Sequence, residues 1–389
     1  MKTDNQQKLR AYRVWLSEDA CDLADFRRLA EKTTALADYP TASAVEKNIL
    51  IYDSRKVMAA VTEDRRAVLA EICEAFGEGP GVILFKHAYE DTGIIDRASA
   101  IFAQIIEEQH VTSTGGGDHF AKPGANDRIW NSLEKHCLAD PINFANAIVA
   151  LAREAWLGPS YQMTAQVNRV NPGGAAQSAH RDYHLGFQSS QVIEQFPAHV
   201  HRLSPVLTLQ GAVAHCDMPL ETGPTLFLPH SQTYVPGYLA LKRQEFRDYF
   251  EASHVQLPLE KGDVAFFNPA LFHAAGTNRS TDIKRVANLL QVSSAFGRAM
   301  ETVNRERMSA RLFPALKTLQ GRLTPDEITN AVAACAEGYS FPTNLDRDPP
   351  LGGLAPKTQA QLMHEALREG WSDEAFTAAL AEHARKKLS

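Results

Sequence analysis

The stretch Asn171-Pro172-Gly173-Gly174-Ala175-Ala176-Gln177-Ser178-Ala179-His180-Arg181-Asp182 decides how this chain is read. On a strand, residues i and i+2 point to one face, so His180 and Asp182 can reach a single metal ion from adjacent positions. A neutral imidazole and a carboxylate suit a borderline divalent ion such as Fe(II). One more histidine would complete a two-histidine, one-carboxylate set that leaves coordination positions open. Alone, His-x-Asp is a weak signal, and two polar residues on a solvated strand are its ordinary explanation.

The partner motif lies downstream. Lys261-Gly262-Asp263 reads as a tight turn into the apolar strand Val264-Ala265-Phe266-Phe267, followed by Leu271-Phe272-His273-Ala274-Ala275-Gly276-Thr277-Asn278-Arg279-Ser280, with Arg285 twelve residues past the histidine. A histidine on an apolar strand is usually a core residue, but an arginine on the next strand can sit beside this one. A guanidinium grips a carboxylate bidentately and stays charged when buried. Together, His180, Asp182 and His273 would hold iron, and Arg285 would hold a dicarboxylate lying against it.

From Met163 to Ser293 the pattern is one short strand after another, divided by Pro, Gly and Asn turns. The expected strands are 163–170, 179–185, 206–214, 225–228, 264–267, 271–275 and 286–293. Segments this short and dense predict a β-sandwich or jelly roll rather than a parallel α/β sheet. The first 77 residues read as helix: 9–37, then a helix N-capped by Thr62 and stopped by Gly77. Helix returns over 302–312, stopped by Pro314, and over 324–336; after an irregular stretch at 349–356, a last helix capped by Ser372 runs to Lys387. The expected organisation is an N-terminal helical segment (1–80), a β core (81–296) and a C-terminal helical extension (297–389), together one integrated catalytic unit.

Composition excludes many classes. Of the 389 residues 44% are apolar and 22% charged, with a net charge of −6, so a disordered, collagen-like or coiled-coil chain is ruled out. A mildly acidic chain without basic runs argues against nucleic acid or an anionic membrane as partner, and no window offers the ~20 apolar residues of a membrane span. The start, Met1 to Gln7, has no secretory h-region, and the end, Lys387-Leu388-Ser389, is not the Ser-Lys-Leu address; a cytoplasmic protein is expected. Five scattered cysteines (Cys21, Cys73, Cys137, Cys216, Cys335) fit reduced thiols rather than a disulfide framework or a zinc ribbon.

His180-Arg181-Asp182, the 93-residue gap to His273, the Gly276/Asn278 pair and Arg285 resemble the phytanoyl-CoA dioxygenase family. Pro172-Gly173 and Glu221-Thr222-Gly223-Pro224 leading to Leu228-Pro229-His230-Ser231 resemble its turn and strand motifs, although the family more often has Pro-Gly-Ser-His at that last position. The resemblance covers roughly 81–296. It implies a double-stranded β-helix, the jelly-roll or cupin-like barrel. The expected fold is thus a mainly β core with α flanks, and the N- and C-terminal helices, which the motifs do not predict, are expected to pack around the barrel as a lid or a homodimer contact. It further implies an Fe(II)- and 2-oxoglutarate-dependent dioxygenase that uses O₂ to hydroxylate a small organic substrate, releasing succinate and CO₂. In enzymes of this class polar side chains commonly bind the cosubstrate, so Gln166, Asn168, Gln177, Thr208 and Gln210 join Arg285 as candidates. His184, sharing a strand face with His180 and Asp182, and Trp130 are candidates for the substrate pocket. Two competitors stand beside these: His215-Cys216-Asp217 as a second His-x-Asp, and Arg279 as the clamp. Gly115-Gly116-Gly117 reads as a loop or lid rather than a phosphate loop, having no Lys-Ser/Thr after it. Other readings are a cupin-like metal enzyme that does not use 2-oxoglutarate, and a non-catalytic binding protein on the same scaffold.

Overall fold

A computed structural model describes residues 11, 13–112, 124–139, 145–341 and 344–388; Gly115-Gly116-Gly117 lies outside them. Ten strands occur among the described residues: β1 Ala44–Glu46, β2 Ile49–Asp53, β3 Val82–Lys86, β4 Asn126–Ile129, β5 Gln162–Val170, β6 Thr208–Ala214, β7 Leu226–Leu228, β8 Val264–Phe267, β9 Phe272–Ala274 and β10 Arg285–Ser293. Eight form one sheet in the order β1-β2-β3-β8-β6-β10-β5-β4. Only β2 and β3 pair in parallel; the other neighbours are antiparallel. β6 and β8 are buried at every residue, as expected of strands covered on both faces.

The second sheet is built from short pieces. β7 pairs with β9, placing Phe227 opposite His273. Beyond β9, the extended segment 177–182 bonds to it through Gln177 N–H to Ala275 O (2.9 Å), His180 N–H to His273 O (3.0 Å) and His273 N–H to His180 O (3.2 Å). Beyond β7, Phe227 exchanges backbone bonds with Val255 at 2.9 and 2.7 Å. The small sheet faces the large one, which is the double-stranded β-helix expected from the sequence.

The helices cover the outer face of the large sheet. One apolar cluster joins Leu50, Val57, Ile72, Phe85, Met163, Val213 and Leu290 to Leu312, Phe313, Val332, Met363, Phe376 and Leu380. Thus the N-terminal segment, the barrel and the C-terminal helices share one core. No helix among the described residues is long and apolar enough to cross a membrane. All five cysteines are unbridged, and Cys137 and Cys335 lie buried with their Sγ atoms 3.5 Å apart.

Several expectations are corrected. The N-terminal segment is not all helix: between Leu23–Ala30 and Ser54–Gly77 it carries β1 and β2, which extend the large sheet. Lys47 and Asn48, both with positive φ, make the two-residue turn that joins them (φ 50° and 65°). The helix expected from Thr62 begins at Ser54, capped by the Asp53 carboxylate, which accepts from the N–H groups of Arg55 and Lys56. It kinks at Asp64 (φ −148°), where the Asp64 side chain caps Ala67 N–H and restarts it; Thr62 bonds back to Met58 O. Pro314 does not end its helix, which runs from Arg305 to Thr318. Residues 198–206 form a helix rather than the start of β6.

Candidate metal and cosubstrate site

A cavity of about 700 Å³ opens between the two sheets. Alternation along the large sheet sends Arg128 (β4), Gln166 and Asn168 (β5), Arg285, Ala287, Leu289 and Gln291 (β10), and Gln210, Ala212 and Ala214 (β6) toward it, while His180, Asp182 and His273 enter from the small sheet.

His180, Asp182 and His273 each offer a ligand atom within 4.8 Å of the other two. His273 Nε2 lies 3.5 Å from Asp182 Oδ2, and His180 Nε2 lies 3.8 Å from Oδ1. Each imidazole is turned by its own segment: His180 Nδ1 bonds to Ser178 O (2.9 Å) and His273 Nδ1 to Leu271 O (2.8 Å). With Nδ1 carrying the proton, both Nε2 lone pairs face the carboxylate, the tautomer a metal requires. Protonation follows suit. Burial pushes the His180 pKa down, in the direction of the neutral ring. Burial works against ionising Asp182, but His273, His180 and Gln210 outweigh it and hold the carboxyl well below the usual carboxylate range.

Asp182 is held from both sides. Gln210 Nε2 donates to its Oδ2. Arg181, between the two ligands in sequence, points away from the cluster: its Nη2 donates to Ser231 O (2.6 Å) and Tyr234 O (2.9 Å), and its guanidinium stacks over Tyr238 and Phe272 at 5.2 and 5.1 Å. A Cβ on Gly237 would come within 2.0 Å of Arg181 Cζ, so only glycine leaves room there. The chain then reverses sharply, with Tyr183 at φ 65° and His184 at φ 42°. Non-glycine residues in that region cost ~1–3 kcal/mol each and gather at functional sites.

That reversal overturns the expected strand 179–185. It breaks the i, i+2, i+4 alternation, so His184 is exposed, bonded to Ser204 Oγ (2.9 Å), and absent from the cavity wall.

Arg285 lines the cavity at 6% exposure. Its Nη1 donates to Thr222 O (3.0 Å) and Gly276 O (3.4 Å), and among the described residues no carboxylate pairs with it. Burial pushes its pKa down to about 10.

Of the other candidates, Gln166, Asn168, Gln177, Gln210 and Trp130 line the same cavity. Thr208 does not: it sits at the start of β6, buried, with its carbonyl bonded to Trp156 Nε1 at 2.9 Å. The competitors fall away. His215 is buried against Ser99 (2.8 Å) and Phe102 while Asp217 is exposed and caps Lys261 N–H, so the pair does not converge. Arg279 is exposed in its turn. Sequence reasoning missed Arg128, Tyr183, Phe187, Gln291 and Met300 on the wall, and the anchoring role of Arg181. Of these, only Gln291, at even spacing from Arg285 along one strand, carried a readable signal.

The sequence profile of the phytanoyl-CoA dioxygenase (PhyH) family matches residues 60–286. The chain belongs to this family. No curated protein matches the chain. Among solved structures, the chain is similar to SnoN, a non-haem α-ketoglutarate-dependent epimerase from nogalamycin biosynthesis, at 18% identity over 59% of this chain and 84% of that one, with a TM-score of 0.39. It is also similar to AviO1 from Streptomyces viridochromogenes Tue57, at 16% identity over 61% and 98% of the two chains, with a TM-score of 0.43. His180, Asp182, His273 and Arg285, the candidates for metal and cosubstrate, line one cavity.

Proposed function

We propose that this PhyH-family protein is a non-haem Fe(II)- and 2-oxoglutarate-dependent oxygenase that hydroxylates a C–H bond of a small organic substrate. The observation that carries the reading is a buried guanidinium without an acid partner, Arg285, sharing one cavity with a two-histidine, one-carboxylate donor cluster.

The residues fit both groups. Two imidazole nitrogens and one carboxylate suit Fe(II), and ligands supplied from the small sheet leave the cavity side open. Arg285 fits the far carboxylate of a five-carbon dicarboxylate. When bound, iron and 2-oxoglutarate supply the oxidising chemistry: O₂ is consumed, the cosubstrate leaves as succinate and CO₂, and one oxygen atom enters the substrate C–H bond. The chain supplies position. The Ser178 and Leu271 carbonyls fix the imidazole tautomers, Gln210 fixes the carboxylate, and Arg285 fixes the cosubstrate's orientation. Met218, Leu259 and Phe267 give the cavity an apolar wall that strengthens these charge interactions. Asp182 fills the position a halide would need, which favours hydroxylation over halogenation.

The test is anaerobic loading with Fe(II) and 2-oxoglutarate, then admission of O₂ with succinate measured with and without candidate substrates. Failure to bind 2-oxoglutarate, with no succinate under any condition, would refute the reading. Metal binding without 2-oxoglutarate binding would point instead to a cupin-like metal enzyme.

A further inference from the structure

The cavity holds more hydrogen-bonding capacity than metal and cosubstrate use. Asn168 and Gln291 are 7% and 8% exposed and line the cavity, and their side-chain oxygens have no hydrogen-bond partner among the described residues. Gln166, 4% exposed, spends its Nε2 on Glu301 Oε1 (3.2 Å), while its Oε1 is buried without a partner. The Gln210 Oε1 on the same wall is also without a partner; buried amides are normally satisfied, so these unpartnered oxygens call for a ligand.

Register spreads this wall along the sheet: Asn168 and Gln166 lie opposite Ala287 and Leu289, one strand to the side of the line from Arg285, and Gln291 lies at its far end. Gln291 lies directly opposite Gln210, which bonds to Asp182, so it stands level with the metal ligands. It is six residues along β10 from Arg285, so the two residues mark opposite ends of the cavity wall on that strand. Gln166 and Asn168 are displaced sideways on β5, toward the sheet edge that carries Arg128 and Trp130.

The charges narrow the ligand. Asp182 is the only carboxylate on the described wall, so nothing there receives an ammonium group. Burial pushes the Glu301 carboxyl pKa up, against Asn131 N–H, Gln166 and the charges of Arg128 and Lys135, and the Arg128 guanidinium lies 5.0 Å over the Trp130 ring. An acyl chain would want an unbroken apolar wall, which the three amides interrupt.

We propose, resting on the oxygenase reading, that the substrate is a neutral polyhydroxylated ring, a sugar or cyclitol unit, bound by Gln166, Asn168 and Gln291 with its C–H face against Trp130. A hydroxyl both donates and accepts, so it satisfies an amide whichever end faces it. A site that hydrogen-bonds a hydroxyl also rejects analogues lacking it, which makes these amides specificity-determining.

The test uses the full chain loaded with Zn(II) and 2-oxoglutarate, so that nothing turns over. A panel of methyl hexopyranosides, methyl pentopyranosides and cyclitols is titrated by saturation-transfer NMR, alongside decanoyl-CoA and free amino acids. The expected result is saturable binding of at least one polyol, weakened about 10-fold or more by Gln291→Met and by Asn168→Leu, with Gln291→Met changing 2-oxoglutarate affinity less than 2-fold. Circular dichroism confirms folding, and Gln166→Met serves as the replacement should Asn168→Leu misfold. Saturation by decanoyl-CoA or an amino acid instead, no polyol binding, or binding indifferent to the substitutions would overturn the proposal. If 2-oxoglutarate itself does not bind, the oxygenase reading falls, and the polyol titration still decides the role of the wall.

Discussion

Replacing Arg285 with leucine should act in opposite directions on ligand binding and on the ligand-free fold. The guanidinium is buried, bonded to two backbone carbonyls, and has no carboxylate partner among the described residues. With a dicarboxylate bound it becomes half of a desolvated charge pair. Truncating one member of such a pair costs ~2–5 kcal/mol. At about 1.4 kcal/mol per decade, the 2-oxoglutarate Kd should rise roughly 30- to 4,000-fold. Without ligand, the substitution removes an uncompensated buried charge at the loss of two bonds to carbonyls, so Tm should hold or rise. Wild-type protein at 100 times its Kd should gain ~2.7 kcal/mol from 2-oxoglutarate, and the variant should gain almost none. Anaerobic calorimetric titration of the Fe(II)-loaded protein reads the affinity, and thermal melts with and without ligand read the stability. A Kd within 3-fold of wild type, or iron affinity falling in step with it, would show that Arg285 is not the carboxylate receptor.

Three further outcomes follow from other parts of the molecule. A Cβ on Gly186 would lie 2.0 Å from the Arg181 carbonyl oxygen, so Gly186→Ala should push apart the segment bearing both His180 and Asp182; metal affinity read by Mn(II) titration should drop at least ~10-fold, in the range of ligand-supporting changes. Burial, helped by His136, pushes the His215 pKa from 6.5 down to about 3. Between those values the unfolded chain holds the extra proton, so stability falls as pH drops through that window, by up to ~1.4 kcal/mol per pH unit; His215→Phe should flatten the urea-unfolding free energy between pH 6 and pH 4 by about one proton, and an unchanged slope would refute it. Phe376 stacks on Phe313 at 4.1 Å in the shared core; Phe376→Ala should cost ~3–5 kcal/mol and lower the melting of helix and metal site together, whereas early loss of helix alone would show the C-terminal flank to be independent.

The convergence of His180, Asp182 and His273, with Arg285 on the same cavity, was legible because residue type and spacing within single strands carry it. β8 was read to the residue, being an apolar run between a Gly turn and a Pro. Misreadings occurred where a local signal met a tertiary one. Ala44 to Asp53 hid two strands because each is short and finds its partner in the sheet, not in its own sequence. The strand expected over 179–185 failed at Tyr183 and His184, whose left-handed backbone no propensity announces. Pro314 was overruled by packing, since Leu312, Phe313 and Leu316 around it are all buried. Arg181 gave no sign of its role, because its partners, Ser231, Tyr234, Tyr238 and Phe272, are assembled only by the fold.

Both metal-facing histidines are set by the same local device, a bond from Nδ1 to the carbonyl two residues earlier. The donors are therefore arranged before any ion arrives, and the arrangement does not distinguish one divalent ion from another. A rigid N₂O set follows the general affinity order, in which Zn(II) and Cu(II) outcompete Fe(II). Iron loading would then be decided by what the surroundings supply rather than by the polypeptide, and protein purified without added iron should carry a mixture of ions that mirrors its growth medium.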